Sequence, residues 1–220
     1  MWPDRIVVAS LDQNSVVGTN KAIDEVSRDR VLTTEELRLV WQLAGDGEYG
    51  AIVRLLILTG QRREEVGGML WPEIEIADVN WRIGAERTKN GLVHDVPLSA
   101  PAVEILKARS RCDEKREFVF GAGTGPFQGW SNAKQALDRR MGAFLKAKQS
   151  ANVELKPWRL HDIRRTVATG LPHIVEAVLN HVSGHRAGVA GVYNRAAYAA
   201  EKRTALDAWA TRVIELGGRS

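Results

Sequence analysis

The chain has 220 residues, 44% of them hydrophobic, which allows one large domain, or one domain with part of another. Its lone Cys112 excludes an internal disulfide, no Cys/His cluster has zinc spacing, no apolar run approaches the ~20 residues of a membrane span, and Met1–Leu11 lacks a signal peptide's basic start and apolar block, so a reducing cytoplasm is the expected setting. The net charge of +4 and pI of 9.4 suit a polyanionic partner without requiring one.

Residues 1–30 read as a connector and the remnant of a truncated domain, because Asp4–Leu11 is a short apolar piece and Asn14–Lys21 is rich in linker residues. The pattern changes at Val31, so residues 31–220 are expected to form the working domain. Thr33 and Glu36 are placed as a capping box, and Leu37, Val40, Trp41 and Ala44 follow at helical spacing until Gly45-Asp46-Gly47. Tyr49–Thr59 is apolar on nearly every side, the pattern of a buried central helix. Gly60 breaks that helix and Arg62 follows it. An arginine there is costly unless it meets a partner. Either it pairs with Glu65 on a short helix, or it serves an anion.

Strand character begins at Glu73. The segments Glu73–Ala77, Asn80–Ala85 and Leu92–Pro97 predict three short antiparallel strands, with turns at Asp78–Asn80 and at Asn90-Gly91, a strong hairpin signal. Lys89 falls at the tip of that second hairpin, where a lysine ordinarily confers only solubility. His94 reads as a sheet-face residue. Helices are predicted over Ala102–Arg109 and Ser131–Lys148, the second with Ala136, Met141, Phe144 and Leu145 inward. The glycine-rich loop 121–129 lacks the GK[ST] ending of a nucleotide loop. Further helices are predicted over Arg159–Thr169, Pro172–Val182, Ala190–Ala196 and Ala199–Leu216. The whole is mainly α with a small antiparallel sheet.

The stretch from Trp158 to Tyr193 concentrates the chemistry. His161 and Arg164 are i and i+3, on one helix face; His181 and Tyr193 follow. An arginine fork matches two phosphate oxygens and stays charged at any working pH. Imidazoles pass protons near neutrality, and a phenol can form a covalent ester with phosphorus. These groups can attack a phosphodiester without a metal. The plain alternative is a charged helix start and a half-buried ring.

In order along the chain, LTGQRREE (58–65), TKNG (88–91), HDIRR (161–165), LNH (179–181) and GVYNR (191–195) resemble the catalytic domain of phage integrases, the tyrosine recombinase family. The resemblance covers about Val31 to Leu216. It implies that family's fold, mainly α with a three-stranded antiparallel sheet. It implies that Arg62 and Arg164 clamp the scissile phosphate and that Lys89 protonates the leaving 5′ oxygen. His161 would assist proton transfer, His181 would bond the phosphate, Tyr193 would be the nucleophile, and Glu65 would steady Arg62. No cofactor and no metal are called for.

The implied function is integration or excision of a phage or genomic island by DNA cleavage and rejoining. The implied partners are double-stranded attachment sites, three further copies in a tetramer on DNA, and accessory DNA-bending or directionality factors. Neither a membrane nor ATP is involved, and the setting is the bacterial cytoplasm. A type IB topoisomerase or a DNA-binding protein without catalysis would share parts of the pattern. One departure stands out. Arg164 and His181 are 17 positions apart, several fewer than the resemblance implies, so either a segment is deleted or residues are left out of the sequence.

Overall fold

The computed structural model describes residues 29–109, 116–122, 124–148, 155–171, 174–180 and 198–218. Helix α1 (Thr34–Leu43) begins with the expected capping box: Thr33 Oγ1 accepts from Glu36 N–H at 3.2 Å, and the Glu36 carboxylate accepts from Thr33 N–H at 2.9 Å. Helix α2 (Glu48–Thr59) is the buried axis of the domain, with Ile52, Val53, Leu55 and Ile57 fully shielded. It packs against α1, α4 (Ala100–Lys107), α6 (Leu160–Gly170) and α8 (Ala199–Gly218). The short α3 (Arg63–Gly67) follows directly.

The carbonyls at the end of α2 have no partner within the helix and must be satisfied elsewhere. Gly60, at φ 67°, turns back so that its N–H reaches Leu56 O at 2.9 Å. Trp209 Nε1, from α8, donates to Ile57 O at 2.7 Å, and Gln61 Nε2 donates to Thr59 O at 2.9 Å. These bonds commit α8 and the residues after Gly60 to one position around the helix end.

Three strands form an antiparallel sheet in the order β1-β2-β3: Ile74–Glu75, Asn80–Ile83 and His94–Pro97. Trp81 pairs with Val96 and Ile83 with His94, and the side chains of Trp81, Ile83 and Val96 are buried. The strands are shorter than the sequence predicts. β2 stops at Ile83 because Gly84 leads into a 3-10 turn, Ala85–Arg87. Asn90-Gly91 is therefore part of a long connection over residues 84–93, not a two-residue hairpin. In that connection Thr88 Oγ1 accepts from Leu92 N–H at 3.0 Å, which replaces the expected ladder.

Helix α4 begins at Ala100, two residues before the predicted start, with Pro101 in its first turn. Helix α5 (Trp130–Ala147) buries Leu137 and Met141; Ala136, expected inward, is only half-buried. Helix α6 is close to prediction. Helix α7 is Val175–Val178; of the predicted Pro172–Val182, residues 172–173 and 181–182 lie outside the described residues. The predicted helix over Ala190–Ala196 lies outside the described residues. The sequence is continuous between α6 and α7, so the shortening belongs to the chain itself. It does not displace the end of α7, where Val178 and Leu179 pack into the core. Helix α8 folds back on its own domain, across α1, α2 and β3, with Leu206, Trp209, Ala210 and Val213 buried. Among the described residues no helix is long and apolar enough to cross a membrane.

Candidate active site

Arg62 occupies the N-cap of α3. Arginine has no acceptor, so only the carboxylate half of a capping box forms there. Glu65 supplies it: Oε2 accepts from Arg62 N–H at 2.7 Å, and Oε1 accepts from the Arg62 guanidinium at 2.8 Å. Glu65 is buried at 4% exposure, while its arginine partner keeps 24% of its side chain open. Arg62 is therefore paired with Glu65, as the plainer sequence reading has it, and part of its side chain still faces outward. Arg87 donates to Glu65 O at 2.9 Å, which ties this corner to the turn before Lys89.

Arg159 and Asp162 repeat the half-box at the start of α6, where Asp162 Oδ2 accepts from Arg159 N–H at 2.8 Å. The other oxygen of Asp162 accepts from Arg165 at 3.0 Å. Arg164, one turn into the helix, is 6% exposed and has no carboxylate bonded to it among the described residues. Carbonyls hold it instead, Gly60 O at 2.8 Å and Leu179 O at 2.5 Å. The C-terminal end of α2 is electronegative, which favours a cation at this spot. Burial lowers the Arg164 pKa to about 10, with repulsion from Arg62 adding to the shift and Glu65 opposing it. The group is still charged at neutral pH.

His161 precedes Arg164 by one turn and is exposed. Desolvation first, then the positive charges of Arg165 and Arg164, hold its pKa below the ordinary histidine value. Its neutral form therefore dominates near pH 7 and can accept a proton. Lys89 is exposed in the 84–93 connection. Arg62, Lys89, His161 and Arg164 together line one open concavity of about 520 Å³, with Arg165, Ala168, Val175, Glu176 and Leu179. A second concavity of about 480 Å³ shares Arg62, His161 and Arg164 and continues past Arg63, Lys134, Trp158 and Arg159. The combined groove carries eight basic side chains, Lys89 and Arg165 on one side and Arg63, Lys134 and Arg159 on the other of the shared Arg62, His161 and Arg164, against two carboxylates, Glu64 and Glu176. Its geometry suits a polyanion that runs across the surface, with fixed cations at the crossing point.

His181 and Tyr193 lie outside the described residues. The approach to His181 is nevertheless anchored. Val178 O accepts from Gln61 Nε2 at 2.8 Å and from the His94 ring at 3.0 Å. Leu179 O accepts from Arg164, and Asn180 O accepts from Asn90 at 3.1 Å. Thus His94, read as a sheet-face residue, is buried in β3 and donates across to α7. Burial, and then the nearby Lys202 ammonium, lower its pKa from 6.5 to about 3, so the ring is neutral. Sequence reasoning passed over Gln61, Asn90 and Asn180. The one available signal was Gln61, an uncharged polar residue wedged between a helix-ending glycine and an arginine.

The fold is that of a tyrosine recombinase catalytic domain. It superposes on a lambda integrase from a tetramer bound to a Holliday junction with a TM-score of 0.53, at 20% identity, over 80% of this chain and 53% of that one. The chain belongs to the phage integrase family, whose model matches residues 30–199. It is 30% identical to prophage integrase IntA of Escherichia coli K12 over 163 residues, and 30% identical to prophage integrase IntZ of the same strain over 178 residues. These alignments take in 71% and 77% of this chain, but only 37% and 40% of the two relatives.

Proposed function

We propose that this chain is the catalytic part of a site-specific recombinase that cuts and rejoins double-stranded DNA through a 3′-phosphotyrosine link, to integrate or excise a mobile element. The observation that carries this reading is the convergence of Arg62, Lys89, His161 and Arg164 on one concavity. In this reading residues 31–220 form the catalytic domain and residues 1–30 lead into it.

The Tyr193 phenol oxygen attacks phosphorus and forms a new P–O bond, while the bond to the 5′ oxygen breaks. A phenol with a pKa of ~10 is a poor nucleophile at neutral pH. Neutral His161 takes its proton. The charge that builds on the phosphate oxygens meets the guanidiniums of Arg62 and Arg164, with His181 as a further donor, and fixed cations there lower the barrier. Lys89 gives its proton to the leaving 5′ oxygen. The covalent ester keeps the energy of the phosphodiester, so a 5′ hydroxyl can reverse the step and rejoin the strand. Exchange between two duplexes needs four such steps. A tetramer on the DNA, the arrangement in the lambda integrase structure, provides them.

A nicked duplex from the element's own attachment region tests the proposal. The expected result is a denaturant-resistant protein–DNA adduct that is lost in Tyr193→Phe while DNA binding persists. Intact binding with no adduct from the full-length protein would assign the groove to DNA binding alone.

A further inference from the structure

Lys89 is exposed, and its flexible four-carbon stem can place the ammonium over a wide arc. Where that arc is centred depends on the backbone of the 84–93 connection. The next residue fixes it. Asn90 Nδ2 donates to Asn180 Oδ1 at 3.0 Å and to Asn180 O at 3.1 Å, and Asn180 Nδ2 donates back to Asn90 Oδ1 at 3.1 Å. Within its own loop, Asn90 Oδ1 also accepts from Leu92 N–H at 3.2 Å, which presets the amide.

The other half of the pair is equally committed. Asn180 has φ 50°, a left-handed backbone that asparagine tolerates better than most residues. The carbonyl just before it, Leu179 O, is held by Arg164. A short path therefore joins the two charged groups: Lys89 to Asn90 along the chain, Asn90 to Asn180 through the amides, and Asn180 to the Arg164 guanidinium through Leu179.

We infer that the Asn90–Asn180 amide pair is a positioning latch, which sets Lys89 over the Arg62–Arg164 clamp so that its proton reaches the leaving oxygen. The inference rests on the reading of the groove as a DNA-cleaving site. Asn90 and Asn180 touch no reacting atom; they act through Lys89.

The test separates proton donation from general support. In an ordinary duplex the breaking bond leaves an alkoxide, which takes the Lys89 proton. In a duplex with a 5′-bridging phosphorothiolate, sulfur leaves as a stable thiolate and needs no proton. Asn90→Ala and Asn180→Gly remove the amides, and glycine keeps the left-handed backbone at 180. Each should slow single-turnover cleavage of the oxygen substrate by about tenfold or more, because a general acid contributes roughly 10²–10⁴-fold and a displaced one keeps only part of that. Each should cleave the sulfur substrate at nearly the wild-type rate, as should Lys89→Ala. The double variant should be no slower than the slower single one, since one contact is lost in all three.

Equal slowing on both substrates, or no slowing on either, would overturn the latch. Should Asn90→Ala misfold, Asn90→Ser keeps a local acceptor without spanning to Asn180 and must behave the same way. Wild-type protein that forms no adduct with either substrate would instead overturn the cleavage reading itself.

Discussion

Arg62 donates twice to Glu65, once from its backbone N–H at 2.7 Å and once from its guanidinium at 2.8 Å. One buried carboxylate therefore starts helix α3 and aims the arginine. The two tasks separate on mutation. Glu65→Ala leaves a helix N-terminus uncapped and a guanidinium unanchored, and should lower stability by about 1–3 kcal/mol. Glu65→Gln keeps an oxygen for the backbone N–H but not the charge. It should retain most of the stability while cleavage falls. Urea unfolding beside an adduct assay reads both, and a Gln variant with full activity would contradict the aiming role.

Arg62→Ala and Arg164→Ala should each abolish adduct formation and weaken duplex affinity only modestly, since other phosphates carry much of that affinity. Their stabilities should differ. Arg164 satisfies the carbonyls of Gly60 and Leu179 in a buried setting, whereas Arg62 is partly open. Loss of Arg164 should therefore lower the urea midpoint further. Normal cleavage by either variant would remove that residue from the clamp.

Gly60 and Gly91 make a matched pair, with φ of 67° and 66°. A Cβ on Gly60 would meet Val167 Cγ1 at 2.9 Å and Leu179 Cδ2 at 3.0 Å, while one on Gly91 would meet nothing within 4 Å. Gly91→Ala should cost about 1–2 kcal/mol for the left-handed backbone alone. Gly60→Ala should add an overpacking cost of roughly 1–3 kcal/mol. Equal losses in thermal or urea unfolding would show that the contact at Gly60 relaxes freely.

The buried His94 ring predicts a pH dependence. Unfolded, it takes up a proton below about 6.5; folded, it resists protonation until about 3. Its contribution is complete above 6.5 and is lost as pH falls towards 3, with a slope of roughly 1.4 kcal/mol per pH unit. Carboxylates contribute in the same acid range, so the difference between wild type and His94→Gln is the informative quantity. That difference should shrink as pH falls, and a constant offset between pH 7 and 4 would count against a neutral buried ring.

Much of the domain was legible because local rules and burial agree. The capping box at Thr33, the all-round apolar face of α2 and the break at Gly60 are short-range patterns, and each stands where the residues predict. The sheet was legible in order but not in extent. Thr88, whose hydroxyl donates to Leu92 O at 2.8 Å and accepts from Leu92 N–H at 3.0 Å, shortens two strands by an interaction that no periodicity reveals. Arg62, Lys89, His161 and Arg164 were read through a family resemblance, and the structure brings them to one concavity. Their supports were not legible. Gln61, His94, Asn90 and Asn180 are joined by contacts between residues roughly 80 to 120 positions apart, and polar residues in isolation carry no sign of such partners.

The bond from Arg164 to Gly60 O spans 104 positions, and the one from Gln42 to Gly217 O spans 175. During synthesis, the first arginine of the clamp leaves the ribosome long before the second, and before the helix that locks the end of α2. The two guanidiniums come together only once Arg164 and the Leu179 carbonyl that holds it have been made. A nascent product that stops before Arg164 therefore carries only one of the two guanidiniums, on a core that still lacks the Trp209 bond to Ile57 O.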